Sequence, residues 1–153
     1  MAFLPRDFAI PEPPATDEFL LTPLGVEHLV LDYDAVMSSR ERLWRLFGDA
    51  WGWPPADLTL MQDLVDLGWH RKEFQLRRSF NWAVLRPDRG ELLGCCYIDP
   101  PEQGGFDAEA YYWVRSDRIE SGLEERVGAV FRGWIAGAWP FTHVTYPGRD
   151  QPW

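Results

Sequence analysis

The sequence predicts a single α/β (α+β) domain, in which a mixed, mostly antiparallel twisted sheet of about five strands is flanked by three to four helices. Three observations carry this reading. Residues 80–115 read as three consecutive strands, at 80–86, 91–99 and 108–115, and the first two are joined by Pro87-Asp88-Arg89-Gly90. That turn has Pro first and Gly last, as a tight turn prefers. A strand, a helix and a strand follow in that order, and such a crossover places a parallel pair beside the antiparallel meander. The segments around the meander carry apolar residues at helical spacing, which suits helices that cover a sheet.

Length and composition agree. A chain of 153 residues is about one domain and long enough to bury a core. Its 46% apolar and 25% charged residues are ordinary for a globular protein, whereas nine Trp point to rings in the core or around a pocket. The net charge is −9 and the only paired cations are Arg71-Lys72 and Arg77-Arg78. This excludes the clustered basic face that nucleic acid requires and is compatible with a cationic substrate. Cys95 and Cys96 are neighbours that point to opposite faces of a strand, so neither a mutual bridge nor a two-cysteine metal site is expected. A reducing compartment fits. The N-terminus lacks a basic start and an apolar h-region, and no segment reaches the ~18–20 apolar residues of a membrane span. The expected location is the cytoplasm, without membrane or nucleic-acid partners.

Taken in order, residues 1–17 carry Pro5, Pro11, Pro13 and Pro14 and cannot form a helix. This Pro-rich segment is expected to run extended over the surface, ahead of one domain at 18–153. Residues 19–23 read as a strand, and 29–36 fit a strand or a helix. Ser38-Ser39-Arg40-Glu41 predicts a capping box opening a helix over 39–47, with Leu43, Leu46 and Phe47 on one face and Gly48 as its end. Trp51-Gly52-Trp53-Pro54-Pro55 predicts a rigid loop presenting two indoles. The longest helix is expected over 57–78, capped by Asp57 or Thr59. Leu60, Met61, Leu64, Val65, Leu67 and Phe74 form its apolar stripe, and Arg71, Lys72, Glu73, Arg77 and Arg78 its solvated face.

Both faces of the 91–99 strand are apolar: Leu92, Gly94, Cys96 and Ile98 alternate with Leu93, Cys95 and Tyr97, which predicts cover on both sides. The 108–115 strand divides into Ala108, Ala110, Tyr112 and Val114 on one face and Glu109, Tyr111, Trp113 and Arg115 on the other. The second, polar-aromatic face is the one expected to line a cleft. Ser121-Gly122-Leu123-Glu124 predicts a second capping box. Its helix carries the stripe Leu123, Val127, Val130, Phe131, Trp134, Ile135 and Ala138 and stops at Pro140, before a last strand at 142–146.

The sequence also carries Asp32-Tyr33-x-Ala35-x-Met37-Ser38-Ser39, then Leu58-Thr59-Leu60 ahead of Asp66-Leu67-x-Trp69-His70, and Leu85-x-Pro87. Leu93-Gly94-Cys95-x-Tyr97-Ile98-x-Pro100, Trp113-Val114-Arg115 and Trp139-Pro140-Phe141 follow. In this order, across roughly 18–147, they resemble a divergent branch of the GNAT superfamily of N-acetyltransferases. The resemblance implies acetyl transfer from acetyl-CoA to an amine of a small molecule. It places the pantetheine arm where two parallel strands splay, against Trp113 and Val114, and the pyrophosphate near Arg115, Arg118, Ser121 and Gly122. A helix N-terminus suits an anion because its N–H groups are free.

The chain departs from the family's Q/R-x-x-G-x-G/A phosphate loop. Counted from Arg118, the glycine positions hold Ser121 and Leu123, and no register through Gly122 restores the pattern. Glu120, Glu124 and Glu125 surround the site, and the predicted capping box uses its N–H groups. The chain ends at Trp153, seven residues after Tyr146, so the resemblance implies a sheet truncated at its C-terminal end, with dimerisation as one way to complete it.

Acetyl transfer needs a base and donors that steady the carbonyl oxygen. Glu109, on the polar-aromatic face, is the candidate base, and Tyr146 the candidate acid by family analogy. Tyr111, Trp51 and Trp53 are candidate substrate contacts. His70 titrates in the useful range but sits beside Arg71 and Lys72. His28 and His143 have no carboxylate or Cys at ligand spacing, so no metal is expected. No Gly-x-Ser-x-Gly, P-loop or Rossmann pattern occurs. Two readings stand: a divergent acetyltransferase, and a non-catalytic protein of the same fold that binds a small molecule or partner in an aromatic cleft. An interaction protein using exposed tryptophans is a third.

Overall fold

The computed structural model describes residues 3–153 and contains one five-stranded sheet in the order β1-β2-β3-β4-β5. β1 (Leu20–Pro23), β2 (Phe80–Leu85), β3 (Leu92–Asp99) and β4 (Ala108–Val114) pair antiparallel, and β5 (Val144–Thr145) pairs parallel to β4. The predicted meander is therefore present within a residue or two at each end. The crossover is also present, because α4 (Leu123–Ala138) returns the chain from β4 to β5.

Two cores flank the sheet. On one face, Leu123, Val127, Phe131 and Ile135 of α4 pack on Phe80, Trp82, Ala110 and Tyr112. On the other, α1 (Leu29–Ser38), α2 (Arg40–Trp51) and Leu67 of α3 (Leu60–Gln75) pack on Ala83, Leu85, Cys95 and Trp113. Trp82 and Trp113 are 1% and 0% exposed on opposite faces, and truncating either to Ala would cost about 3–5 kcal/mol. Leu4 is buried in the first core, and Phe3 stacks on Phe141 at 5.3 Å. Arg77 donates to the carbonyls of Pro5 and Phe8, which fastens the Pro-rich segment to the rim. No described helix is long and apolar enough to cross a membrane.

Several local expectations are settled or corrected. Residues 29–38 are helical, and α2 runs through Gly48 to Trp51, ending at Gly52 with φ 61°. Neither predicted Ser-x-x-Glu box forms. The Ser39 hydroxyl instead accepts from the Ser116 N–H at 2.8 Å, tying α2 to the end of β4. The box that does form is Thr59 with Gln62, at the start of α3. Alternation along β3 breaks where the register shifts between Val84 and Leu85, so that Leu92 joins Cys95 and Tyr97 on one face. Gly94 is required there: a Cβ would stand 2.0 Å from the Trp113 carbonyl oxygen.

The largest correction concerns α3. Leu60, Met61 and Val65 are 46%, 66% and 64% exposed, whereas Asp63 and Glu73 are buried. The helix packs Leu67 and Phe74 against the cores but turns carboxylates inward beside them, because it also roofs a cavity.

Candidate functional site

That cavity lies between α3, the end of α2 and the β3–β4 part of the sheet, and has a volume of about 660 Å³. Asp63, Asp66, His70 and Glu73 recur at helical spacing on α3 and so share one face. α1 contributes Asp32, and the end of α2 with the following loop contributes Trp51 and Trp53. The floor is Tyr97 and Asp99 of β3 and Glu109 and Tyr111 of β4, with Glu102 from the connecting loop. Seven carboxylates thus face one cleft. Only Glu73 has a cationic partner among the described residues, in Lys72 at 3.0 Å and Arg78 at 3.9 Å.

The electrostatics follow from burial without neutralisation. Asp32 is held well above the ordinary carboxylate range by burial and by Asp63 facing it, and Asp63 is raised in turn by burial. Asp32 accepts from the Cys95 thiol at 3.7 Å, while Asp63 Oδ2 has no hydrogen-bond partner although the residue is 2% exposed. Burial pushes Asp99 up to about 6, against a hydrogen bond from the Ser79 hydroxyl. Burial lowers His70 to about 4, so its ring is neutral at pH 7, and its Nδ1 has no partner. Glu109 is the exception. Its Oε1 accepts from the Glu102 N–H at 2.7 Å and its Oε2 from the Tyr111 hydroxyl at 2.6 Å. Desolvation, first, and this bond both raise Tyr111.

A second feature abuts the cleft. β4 and β5 pair only at Ala108–Val144 and Glu109–Thr145, and then part. Arg115 N–H donates to Leu93 on β3, so alternation turns the backbone groups of Tyr112 and Val114 to the other edge, into the crevice. Three of those four groups have side-chain partners. Arg149 donates to the Tyr112 carbonyl at 2.7 Å, Glu124 accepts from the Val114 N–H at 3.2 Å, and Arg42 donates to the Val114 carbonyl at 3.2 Å. Glu124 also holds Arg42 through both oxygens, at 2.7 and 2.8 Å, and Arg149 at 3.0 Å. Trp153 lies parallel to Tyr111 at 5.5 Å and edge-on to Trp51 at 5.6 Å. Only about 10 Å³ remains beside this wall.

These residues do not fit acetyl-CoA. A pantetheine amide would find both carbonyls and the Val114 N–H of the β4 edge taken, and a diphosphate would meet the Glu124 carboxylate at the start of α4. The α4 cap is Gly122 in a left-handed conformation, φ 77°, after a 3₁₀ turn at Ser116–Ser121. Ser121 donates to the Arg118 carbonyl rather than capping α4.

The sequence candidates fall into separate places. Glu109, Tyr111, Trp51 and Trp53 converge on the cleft. Trp113 and Val114 are fully buried, with the Trp113 indole donating to the Tyr97 hydroxyl at 2.8 Å. Arg115 pairs with Asp117 and Asp34, and Arg118 with Glu91 and Asp117. Tyr146 belongs to the α4-side core, with the Arg132 guanidinium 3.9 Å from its ring centre, and burial pushes it up to about 12. Sequence reasoning missed Asp32, Asp63, Asp66 and Asp99. The signal was available on α3, where titratable residues at 63, 66, 70 and 73 repeat at helical spacing. Among the described residues, no group of three His, Cys, Asp or Glu is arranged to hold a metal.

No protein-family model matches this sequence, and no curated protein matches it. Solved structures do. The ribosomal-protein-S5-alanine acetyltransferase of Vibrio fischeri aligns over 88% of this chain and 72% of its own, with a TM-score of 0.67 and 14% identity. The RimL ribosomal L7/L12 α-N-protein acetyltransferase, in complex with coenzyme A, aligns over 82% and 68%, with a TM-score of 0.64 and 13% identity. A protein from Bordetella pertussis assigned to the GnaT acetyltransferase family aligns over 89% and 77%, with a TM-score of 0.58 and 22% identity. At such identities the likeness establishes the fold: the chain has the GNAT acetyltransferase fold.

Proposed function

We propose that this protein binds a cationic amine in the acidic cleft beside the splayed strands. One observation carries the reading: Asp32, Asp63, Asp66, Asp99, Glu102 and Glu109 surround an aromatic cavity of about 660 Å³, none of them ion-paired among the described residues, and the one Lys or Arg on the lining, Arg78, pairs with Glu73 instead. Burying unpartnered carboxylates destabilises a fold, and an entering ammonium relieves that cost. Calorimetric titration with n-butylamine and n-butanol tests it. The amine binds and the alcohol does not, and Asp63→Asn weakens the amine; equal or absent heats for the two would end the proposal.

A second reading is acetyl transfer onto the bound amine, the activity the resemblance implies. It is supported by the parting of β4 and β5 after Glu109 and by Tyr111, which lines both the cleft and the crevice. It requires residues 147–153 to leave the β4 edge. Thiol release from acetyl-CoA, assayed in wild type and in Trp153→Ala with n-butylamine present, tests it. Release that rises in the variant and falls when Glu109→Gln is added supports transfer; no amine-dependent release in either protein refutes it.

A further inference from the structure

We infer that the ligand of the cleft is an aliphatic dication, with one ammonium among Asp32, Asp63 and Asp66 and the other among Asp99, Glu102 and Glu109. This rests on the cleft being an amine site and adds the spacing of the charges. The two acidic groups occupy opposite ends of one strand's length. Asp32 contacts Cys95, and Asp99 lies four residues further along β3, about 13 Å away at the rise of a strand.

The deep end has an unmet acceptor. Asp63 is 2% exposed, lines the cleft, and has only the facing Asp32 carboxyl as a hydrogen-bond partner, with no amine, amide or hydroxyl donating to Oδ2. An ammonium has three N–H donors and supplies what that oxygen lacks. The outer end shares the sign of charge: half-buried Asp99 receives only the Ser79 hydroxyl, and the exposed Glu102 carboxylate stands beside it without an ion-pair partner among the described residues. Between the ends the lining changes character. Leu67, the neutral His70 ring, Tyr97 and Tyr111 present apolar surface suited to methylene groups, and Glu73 is already paired with Lys72 and Arg78. A monoamine answers one end and leaves the other unneutralised. A single metal ion is too compact to reach both.

1,8-Diaminooctane, n-octylamine and calcium chloride are titrated calorimetrically into the full chain, and into Asp66→Asn and Glu102→Gln. Asp66 is half-buried and Glu102 exposed, one at each end, so the fold survives and far-UV circular dichroism verifies it. 1,8-Diaminooctane binds about tenfold or more tighter than n-octylamine, which carries the same methylene chain and one charge. Each variant reduces that preference toward unity, and calcium does not displace the diamine. 1,8-Diaminooctane and n-octylamine binding within threefold of one another would overturn the dication while leaving the amine site standing. A preference that survives in either variant would do the same. If neither amine binds, the amine site itself falls, and if calcium competes on equal terms the cleft belongs to a metal.

Discussion

Replacing Glu124 with Gln separates a crevice closed by the protein's own charges from one open to an anion. Glu124 is 7% exposed and accepts from Arg42 at 2.7 and 2.8 Å, from Arg149 at 3.0 Å and from Val114 N–H at 3.2 Å. Removing one member of a buried pair costs about 3–5 kcal/mol. Both arginines keep some contact with water, at 22% and 23% exposure, so we expect about 2–3 kcal/mol, a fall in melting midpoint of roughly 5–10 °C for this size. The pH dependence has a definite sign. Although desolvation opposes it, Arg42 and Arg149 hold the Glu124 carboxyl below its ordinary value of 4.5. Its stabilisation is therefore complete above that value and is lost as pH falls through the folded one. The gap between wild type and Glu124→Gln should thus be full at pH 7 and shrink below pH 4.5 in parallel thermal melts. The same variant frees two guanidinium groups beside the α4 N-terminus, and it should acquire affinity for inorganic pyrophosphate that wild type lacks. A change below 0.5 kcal/mol, or pyrophosphate binding equally to both proteins, would refute this account of the crevice.

Three further outcomes follow from the cleft and the sheet. Asp63→Asn removes one of two facing acids, so it should raise stability at pH 7 by about 1 kcal/mol or more while weakening n-butylamine; a loss of stability would mean the pair is structural. Asp99 titrates near 6 in the fold against an ordinary 3.8, so the folded protein takes up its proton first, and stability falls as pH rises from about 4 to about 6. Glu102 and Glu109 act in the same direction on Asp99. Asp99→Asn should therefore gain on wild type across that window by up to about 3 kcal/mol, and an unchanged difference between pH 4 and pH 7 would reject the shift. Gly94→Ala drives a methyl into the Trp113 carbonyl and should cost about 3 kcal/mol or more by urea denaturation; a neutral result would deny the close strand approach.

The fold was more legible than the site. Turn chemistry and strand composition located the meander, and the apolar stripe from Leu123 to Ile135 located α4, because both elements face continuous core. Periodicity misled on α3, since the rule that apolar residues point inward presumes a core, and here the inward face roofs a polar cavity. Gly94 marked the irregularity in β3 that strict alternation passed over. The Ser-x-x-Glu patterns failed for a tertiary reason: Ser39 and Glu124 find stronger partners in Ser116, Arg42 and Arg149, far away in sequence. Loss of the glycine phosphate loop was readable from residues 118–124, and Glu124 does stand at the start of α4. That Arg149 and Trp153 fold back over the β4 edge depends on long-range geometry no local pattern encodes.

The division between an acidic cleft that accepts amines and a crevice closed to thioester nucleotides is tested most directly by titrating the wild-type chain with 1,8-diaminooctane and with coenzyme A, separately, at pH 7. Saturable heat with the diamine and none with coenzyme A is the predicted result. Tight coenzyme A binding without displacement of residues 147–153, or no response to the diamine, would contradict it.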